Sequence, residues 1–427
     1  MNIPVIQSNN INEIKQLISR KQEAAIDVTD PVKSIIEDVR QNGDSALFDY
    51  TQTFDRVRLS SLKVSEQEIE TALTFVDQAF YTILEEAAAN IRAYHEQQKR
   101  TGYWINDKPG IILGQKITPL DRVAVYVPGG TASYPSTVLM GVIPAVIAGV
   151  ANIVIVTPPD QTGQVDPHIL AAAHVAGATE IYKIGGAHAI AALAYGTETI
   201  VAVDKITGPG NIYVATAKQL VYGTVDIDSI AGPSEVLIIA DETATPAYVA
   251  ADMIAQAEHD KLSASYLITT NEEIAHQTIT ELEKQLANLP RREIATAALE
   301  NSYIMIIDTL ETAAHLSNMI APEHLELHIA DPWALLSLVK HAGSIFIGPY
   351  SPEALGDYFA GPNHVLPTMG SARYASGLSV DDFVKKSSIT YYNQAALSAV
   401  ADQINLFAKK EGLEGHGRSV MIRKADV

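Results

Sequence analysis

The feature that most constrains this chain is an alternation that begins near residue 120. Short apolar runs, "RVAVYV", "NIVIVT", "EIYKIG" and "VDKITG", are separated by helical stretches such as "HILAAAHVAG" and "HAIAALAYG". Strand and helix in strict turn is the pattern of a parallel sheet with crossover helices. A second series follows: "SEVLIIAD", "TPAYVAADMIAQAEH", "SASYLITT" and "EEIAHQTITELEKQLANL", closed by "SYIMIID", "HLELHI" and "GSIFIG". The expected fold is therefore α/β: two Rossmann-like α/β modules with parallel-type sheets, plus a helical N-terminal region and a small helical C-terminal tail. Within the first hundred residues, "DPVKSIIEDVRQNG" offers Asp30 as N-cap, Pro31 at the first helical position and Gly43 as terminator. The last fifty or so residues carry little core of their own.

At 427 residues the chain is too long for one ordinary core. A formal charge of −20, from 30 basic and 50 acidic side chains, argues against nucleic acid as the main partner and leaves room for local basic pockets. With no cysteine, a disulfide framework and a thiolate nucleophile are impossible, so any metal must sit on nitrogen and oxygen ligands. The N-terminus has no basic region followed by an apolar run, so no export signal is expected. The most apolar stretch, "STVLMGVIPAVIAGVANIVIVTPP", contains Gly141, Pro144 and Gly149. Its pattern and breakers predict a buried helix feeding a strand rather than a membrane span. The expectation is a soluble, cytoplasmic protein.

Three glycine-rich loops follow strands of the first series: "YVPGGTASYPS", "IGGAHA" and "TGPGNIY". Glycine lets backbone approach a phosphate, and a following helix offers free N–H groups and a positive dipole end. None is the G-x-G-x-x-G fingerprint, and each by itself reads as a tight turn. Together they point modestly to an anionic or nucleotide ligand.

Of twelve histidines, His95, His168, His174, His276, His315 and His341 read as surface or packing residues, and His328 as a solvent-facing or structural strand residue. Other positions stand out. "IAQAEHDK" places Gln256 and His259 on one face near a helix end. "SPEALGDYFAGPNHVLPT" sets Asp357 in a Gly/Pro-punctuated loop with His364 behind it, and "EGLEGHGRS" carries Glu411 and His416 in the tail. Two histidines, an aspartate and a carboxamide oxygen can hold a zinc-like ion; Gln256 and His259 also read as an ordinary polar helix end. "IAPEHLELHI" sets Glu323 beside His324. Successive strand residues point to opposite faces, so both serve one site only if Pro322 opens a helical turn over "APEH" and the strand begins near Leu325. Such a pair is an acid/base team or a polar turn before a strand, and local pattern favours the turn.

"GPGNIYVATAK", "AGPSEVLIIAD", "AQAEHD", "APEHLEL" and "SPEALGDYFAGPNHVLPT", in this order and spacing, resemble histidinol dehydrogenase, and so does the tail with Glu411 and His416. The match covers essentially the whole chain. The resemblance implies a zinc-dependent, NAD-linked four-electron dehydrogenase of histidine biosynthesis. Such an enzyme oxidises L-histidinol to L-histidine through L-histidinaldehyde, with one zinc per subunit. It implies Gln256, His259, Asp357 and His416 as zinc ligands, and Glu323 and His324 as the acid/base pair. Ser234, Gln256, His259, His324, Asp357, Glu411 and His416 are implied as substrate contacts, and Tyr126, His188 and Asn211 as NAD contacts. His188 departs from the family's usual glutamine, and imidazole cannot present an amide's paired oxygen and NH₂. The implied layout is an N-terminal helical segment 1–25, a substrate and metal module from 26–118 and 235–378, and an NAD module 119–234. A tail 379–427 is implied to dock on the partner of a homodimer with shared active sites. Two rivals are a zinc hydrolase, which leaves the glycine loops without purpose, and a non-catalytic small-molecule binder, which leaves the Glu–His pair without one.

Overall fold

The computed structural model describes residues 3–7, 14, 27–129, 133–230 and 232–424. Residues expected to be helical begin with a short strand instead, β1 (Val5–Gln7); most of the rest of segment 1–25 lies outside the described residues. Helix α1 (Thr29–Phe54) has Val28 as its N-cap residue, with Asp30 in the first turn rather than as the cap. Gly43, the expected terminator, is a kink at φ 52° that the chain passes through. That left-handed conformation suits glycine, and a Cβ there would lie 2.2 Å from the Glu198 carboxylate. Helix α2 (Glu66–Leu73) opens on a Ser65/Glu68 capping box, and α3 (Gln78–Glu96) on Asp77.

Next come β2 (Tyr103–Ile105), β3 (Ile111–Pro119) and the first α/β module. Its elements are β4 (Arg122–Tyr126), α4 (Pro135–Ala148), β5 (Asn152–Thr157), α5 (Pro167–Ala176), β6 (Glu180–Lys183), α6 (Gly186–Tyr195), β7 (Lys205–Thr207), α7 (Ile212–Val221) and β8 (Asp226–Ile227). The strands lie in the order β6-β5-β4-β7-β8, all parallel. The apolar run around Pro144 is the buried helix α4 feeding β5, as its breakers predicted. Helices α1 to α3 share their cores with this sheet: Val32 and Leu47 pack with Tyr182 and Ile190 on one face, Leu84 and Ile91 with Val125 and Met140 on the other.

The second module runs β9 (Glu235–Ala240), α8 (Pro246–Ala257), β10 (Ala264–Thr269), α9 (Glu272–Leu286), α10 (Arg292–Leu299), β11 (Tyr303–Ile306), α11 (Leu310–Ile320), β12 (His324–His328), α12 (Pro332–Leu336), β13 (Ser344–Ile347) and α13 (Glu353–Tyr358). The order is β1-β11-β10-β9-β12-β13, again all parallel. Val236 and Ile238 pack with α8 on one face, whereas Leu237, Ile239, Leu325 and Leu327 pack with α11 on the other. Alternation then turns His324, Glu326 and His328 toward the α8 face. His328, read as solvent-facing or structural, is buried there.

The tail is not purely helical. β14 (Val384–Tyr392) pairs antiparallel with β3 over nine residues, and β2 completes a three-stranded sheet. Helices α14 (Gln394–Lys410) and α15 (Glu414–Met421) follow. Trp104 and Tyr391 on this sheet and Phe407 on α14 are exposed, an apolar surface of the kind that marks an interface.

Candidate active site

The site forms at the amino edge of the six-stranded sheet, where β9 and β12 begin and α8 ends. Helix α11 stops at Ile320, and Ala321 caps it with φ 52°. The helical turn expected over "APEH" is absent, and the strand starts at His324 rather than Leu325. His324 pairs with Val236 on one side and Ser344 on the other, and two parallel neighbours draw it into the ladder. Glu323 stays just outside the ladder, which frees its side chain from strand alternation. Its Oε2 accepts the Glu235 N–H at 3.1 Å and lies 4.0 Å from His324 Nδ1. The Ser234 hydroxyl also donates to the Glu323 carboxyl. His324 Nδ1 lies 3.3 Å from the Glu235 carbonyl and 3.1 Å from Gln256 Oε1, while Nε2 is buried without a partner. With Nδ1–H donated to the Glu235 carbonyl, Nε2 holds a free lone pair.

A ligand set stands beside this pair. One donor atom each from His259, Glu353 and Asp357 lie within 4.8 Å of one another. Glu353 and Asp357 are four apart on α13, hence on one face. Gln256 is buried beside them; turned with its nitrogen inward, its amide donates to the Glu353 carboxylate at 3.2 Å, and the His324 Nδ1–H keeps the Glu235 carbonyl as its acceptor. His364 Nδ1 lies 3.8 Å from Asp357 Oδ1. Glu353 was not singled out from sequence; its four-residue offset from Asp357 was the available signal, hidden because the segment read as a loop. A cleft of about 280 Å³ is lined by His324, Phe346, Asp357 and His364. A larger open hollow, about 530 Å³ along α3, holds no comparable group of donors.

Burial dominates the electrostatics, because it penalises whichever form is charged. It pushes Asp357 up to about 7 and Glu353 well above its ordinary value, the latter helped by Asp357, Glu326 and Glu323. Glu323 is also raised well above the usual range, by burial first and by Glu235 and Asp357, against the hydrogen bonds from the Glu235 N–H and Ser234. Glu235 is pushed up to about 7 by burial, offset by amides of Gly370 and Met369. His324 falls to about 3 and His364 to about 4, through burial and then His259, so both rings are neutral. A nest of carboxyls that all hold their protons too tightly exchanges them for a divalent cation, and imidazole, carboxylate and carboxamide are donors zinc accepts. The residues present fit such an ion.

The other predicted residues fall into two groups. Tyr126 ends β4, and its hydroxyl accepts the Gly186 N–H at 3.0 Å. Gly208 runs so close that a Cβ would lie 2.1 Å from the Tyr126 carbonyl oxygen. The glycine loops after β4, β6 and β7 therefore converge at the carboxyl edge of the five-stranded sheet, although residues 130–132 lie outside the described residues. Asn211 caps α7, accepting the N–H groups of Tyr213 and Val214. His188 is only 1% exposed and covered by Tyr50 and Phe54, with ring centroids at 5.5 and 6.0 Å. Burial lowers its pKa to about 3, and neither nitrogen has a partner. Glu411 and His416 are exposed on the tail, and a single chain does not bring His416 into the ligand set.

Two all-parallel modules, one with converging glycine loops and the other with a buried Glu–His pair beside a cluster of donors that could hold a cation, suit an α/β enzyme better than a binding domain. Comparison narrows the class. The histidinol dehydrogenase family model matches residues 18–424. A histidinol dehydrogenase of Geobacillus kaustophilus is 56% identical over 393 residues, covering 92% of this chain and 93% of the relative. One from Bacillus subtilis is 54% identical over 394 residues, covering 92% of each. The crystal structure of histidinol dehydrogenase from Elizabethkingia anophelis superimposes with a TM-score of 0.95 at 41% identity, covering 99% of this chain and 98% of that one. The chain belongs to the histidinol dehydrogenase family.

Proposed function

We propose that the protein oxidises L-histidinol to L-histidine through L-histidinaldehyde, reducing two NAD, as a zinc-dependent cytoplasmic homodimer. The observation that carries this is the buried Glu323–His324 pair standing directly against Gln256, His259, Glu353 and Asp357, in a chain of this family. A zinc ion held by Gln256, His259, Asp357 and the partner's copy of His416, with Glu353 beside it, would supply a Lewis-acid template for substrate nitrogens and oxygens.

The chain's own residues perform the proton chemistry. His324, neutral and with its Nδ1–H held by the Glu235 carbonyl, presents Nε2 to take the alcohol proton as hydride leaves for NAD. Glu323, whose raised pKa makes its ionised form a stronger base, takes a proton from the water that adds to the aldehyde. The resulting hydrate then gives up the second hydride. Two neighbouring groups with pKa values pushed apart suit two successive oxidations. Ser234 orients Glu323 and, with Gln256, His259, His324 and Asp357, contacts substrate; Glu411 and His416 complete the site from the partner's tail. NAD binds over the converging loops, against Tyr126 and Asn211 and above the His188 segment. The test is L-histidinol plus NAD, following NADH with and without a zinc chelator. Absence of NADH formation by the zinc-loaded protein would refute the reading.

A further inference from the structure

A second polar cluster lies deeper, behind the site. Glu326, fully buried on β12 between His324 and His328, uses Oε1 to accept the Glu353 N–H at 2.8 Å. Glu353 is the first residue of α13, and the N-cap residue of that helix, Pro352, provides no side-chain cap. The cap comes from a different element. Glu326 Oε2 lies 3.3 Å from His328 Nε2, and Asp252 Oδ2 lies 3.6 Å from the same nitrogen. Asp252 sits one turn before Gln256 on α8, hence on the same face. Glu326 thus ties together the strand carrying His324 and the helix carrying Glu353 and Asp357. Its carboxyl also faces Asp252 on the helix carrying Gln256 and, after burial, raises that group's pKa, while His328 lies near both without a hydrogen bond from either ring nitrogen. A helix of six residues has no stability of its own, so where α13 places its two carboxylates depends on what holds its first turn.

Two readings of the cluster compete. Edges of 3.3 and 3.6 Å suit a tetrahedral ion with bonds of roughly 2.0–2.2 Å, which would make it a metal site. Yet one Glu326 oxygen is already committed to an amide, and among the described residues no fourth His, Cys, Asp or Glu donor joins the three. A structural zinc site takes four ligands, so the geometry favours a mechanical role.

We propose that Glu326, supported by Asp252 and His328, is a positioning residue that sets the spacing of α8, α13 and β12, and thereby the affinity of the Gln256–His259–Glu353–Asp357 set for its cation. The inference rests on the metal role proposed above. It is tested on the full-length protein by zinc competition against a chromophoric chelator, alongside hydrogen exchange at the Glu353 amide. Glu326→Gln keeps an oxygen for that amide and holds zinc within about threefold of wild type, whereas Glu326→Leu, which fills the space without an acceptor, binds roughly 10- to 100-fold more weakly. The Glu353 amide exchanges faster only in the leucine variant. Loss in Glu326→Leu with rescue in Glu326→Gln separates positioning from general destabilisation, since both remove the ionisable carboxyl and only the glutamine keeps an acceptor for the Glu353 amide. Equal zinc affinity in Glu326→Leu and wild type overturns the proposal. So does a count of two zinc ions per chain that drops to one in His328→Gln. Should Glu326→Leu fail to fold, Asp252→Ala tests the α8 arm: weaker zinc binding supports the proposal and unchanged binding overturns it. A wild-type protein that binds no zinc refutes the metal role itself, and the clamp is then decided by Glu353 amide exchange alone.

Discussion

Replacing Asp357 by asparagine is expected to make the metal-free protein more stable at pH 8 while ruining its hold on zinc. The Asp357 carboxyl, ordinarily near 3.8, is pushed up to about 7 by burial. A group whose pKa is higher in the folded state favours folding fully below its unfolded value, and that advantage is lost as pH climbs to the folded value. Unfolding free energy of the chelated wild type therefore falls between pH 3.8 and about 7, by about 1.4 kcal/mol per pH unit. From pH 5 to pH 8 the window contains roughly two such units, or up to about 3 kcal/mol. Protons shared with Glu353 and rearrangement of His364 reduce this, so a gain of about 1–3 kcal/mol for Asp357→Asn over wild type is expected across that range. Urea unfolding of both chelated proteins at pH 5 and pH 8, followed by circular dichroism, measures it. Saturating zinc should reverse the order at pH 8, because ligand binding stabilises only the protein that can bind. Identical pH slopes for the two chelated proteins would refute the claim that Asp357 is buried against its own charge.

Glu323→Gln should spare the oxidation of L-histidinol more than that of L-histidinaldehyde, by a factor on the order of 10²–10⁴ in the second half-reaction; equal loss in single-turnover measurements of both removes the division of labour. His188→Gln should change the KM for NAD several-fold with little change in kcat, because an amide presents a donor and an acceptor side by side, which imidazole cannot do; an unchanged KM shows that position 188 does not reach the cofactor. Mixing inactive His416→Ala and Glu323→Gln chains, then allowing subunit exchange, should restore about a quarter of wild-type activity, since hybrid dimers hold one site with both groups intact. No recovery despite demonstrated exchange would mean that the tail serves its own subunit.

Much of the frame was legible in the residues. Runs such as "VLIIA" and "YLIT" announce strands through β-branched and aliphatic side chains, and the helices between them oblige those strands to run parallel. The candidate donor cluster was partly legible, because Gln256 and His259 lie only three residues apart, although the shared helix face was not: α8 ends at Ala257 and His259 sits in the turn beyond it. What escaped depends on which strands become neighbours. The "KKSSITYY" segment has a weak apolar pattern and becomes a nine-residue strand only because β3 lies alongside. His328 read as either solvent-facing or structural, and α8 covering that face decided for the buried, structural alternative. His324 entered the ladder because β9 and β13 flank it on both sides. Local sequence thus determined periodicity, and with it which side chains share a face. Tertiary structure alone decided that the amino ends of β9 and β12, the last turn of α8 and the short α13 meet at one point. A backbone pattern carries no information about partners a hundred residues away, and the burial that shifts every titratable group in this site exists only after they have met.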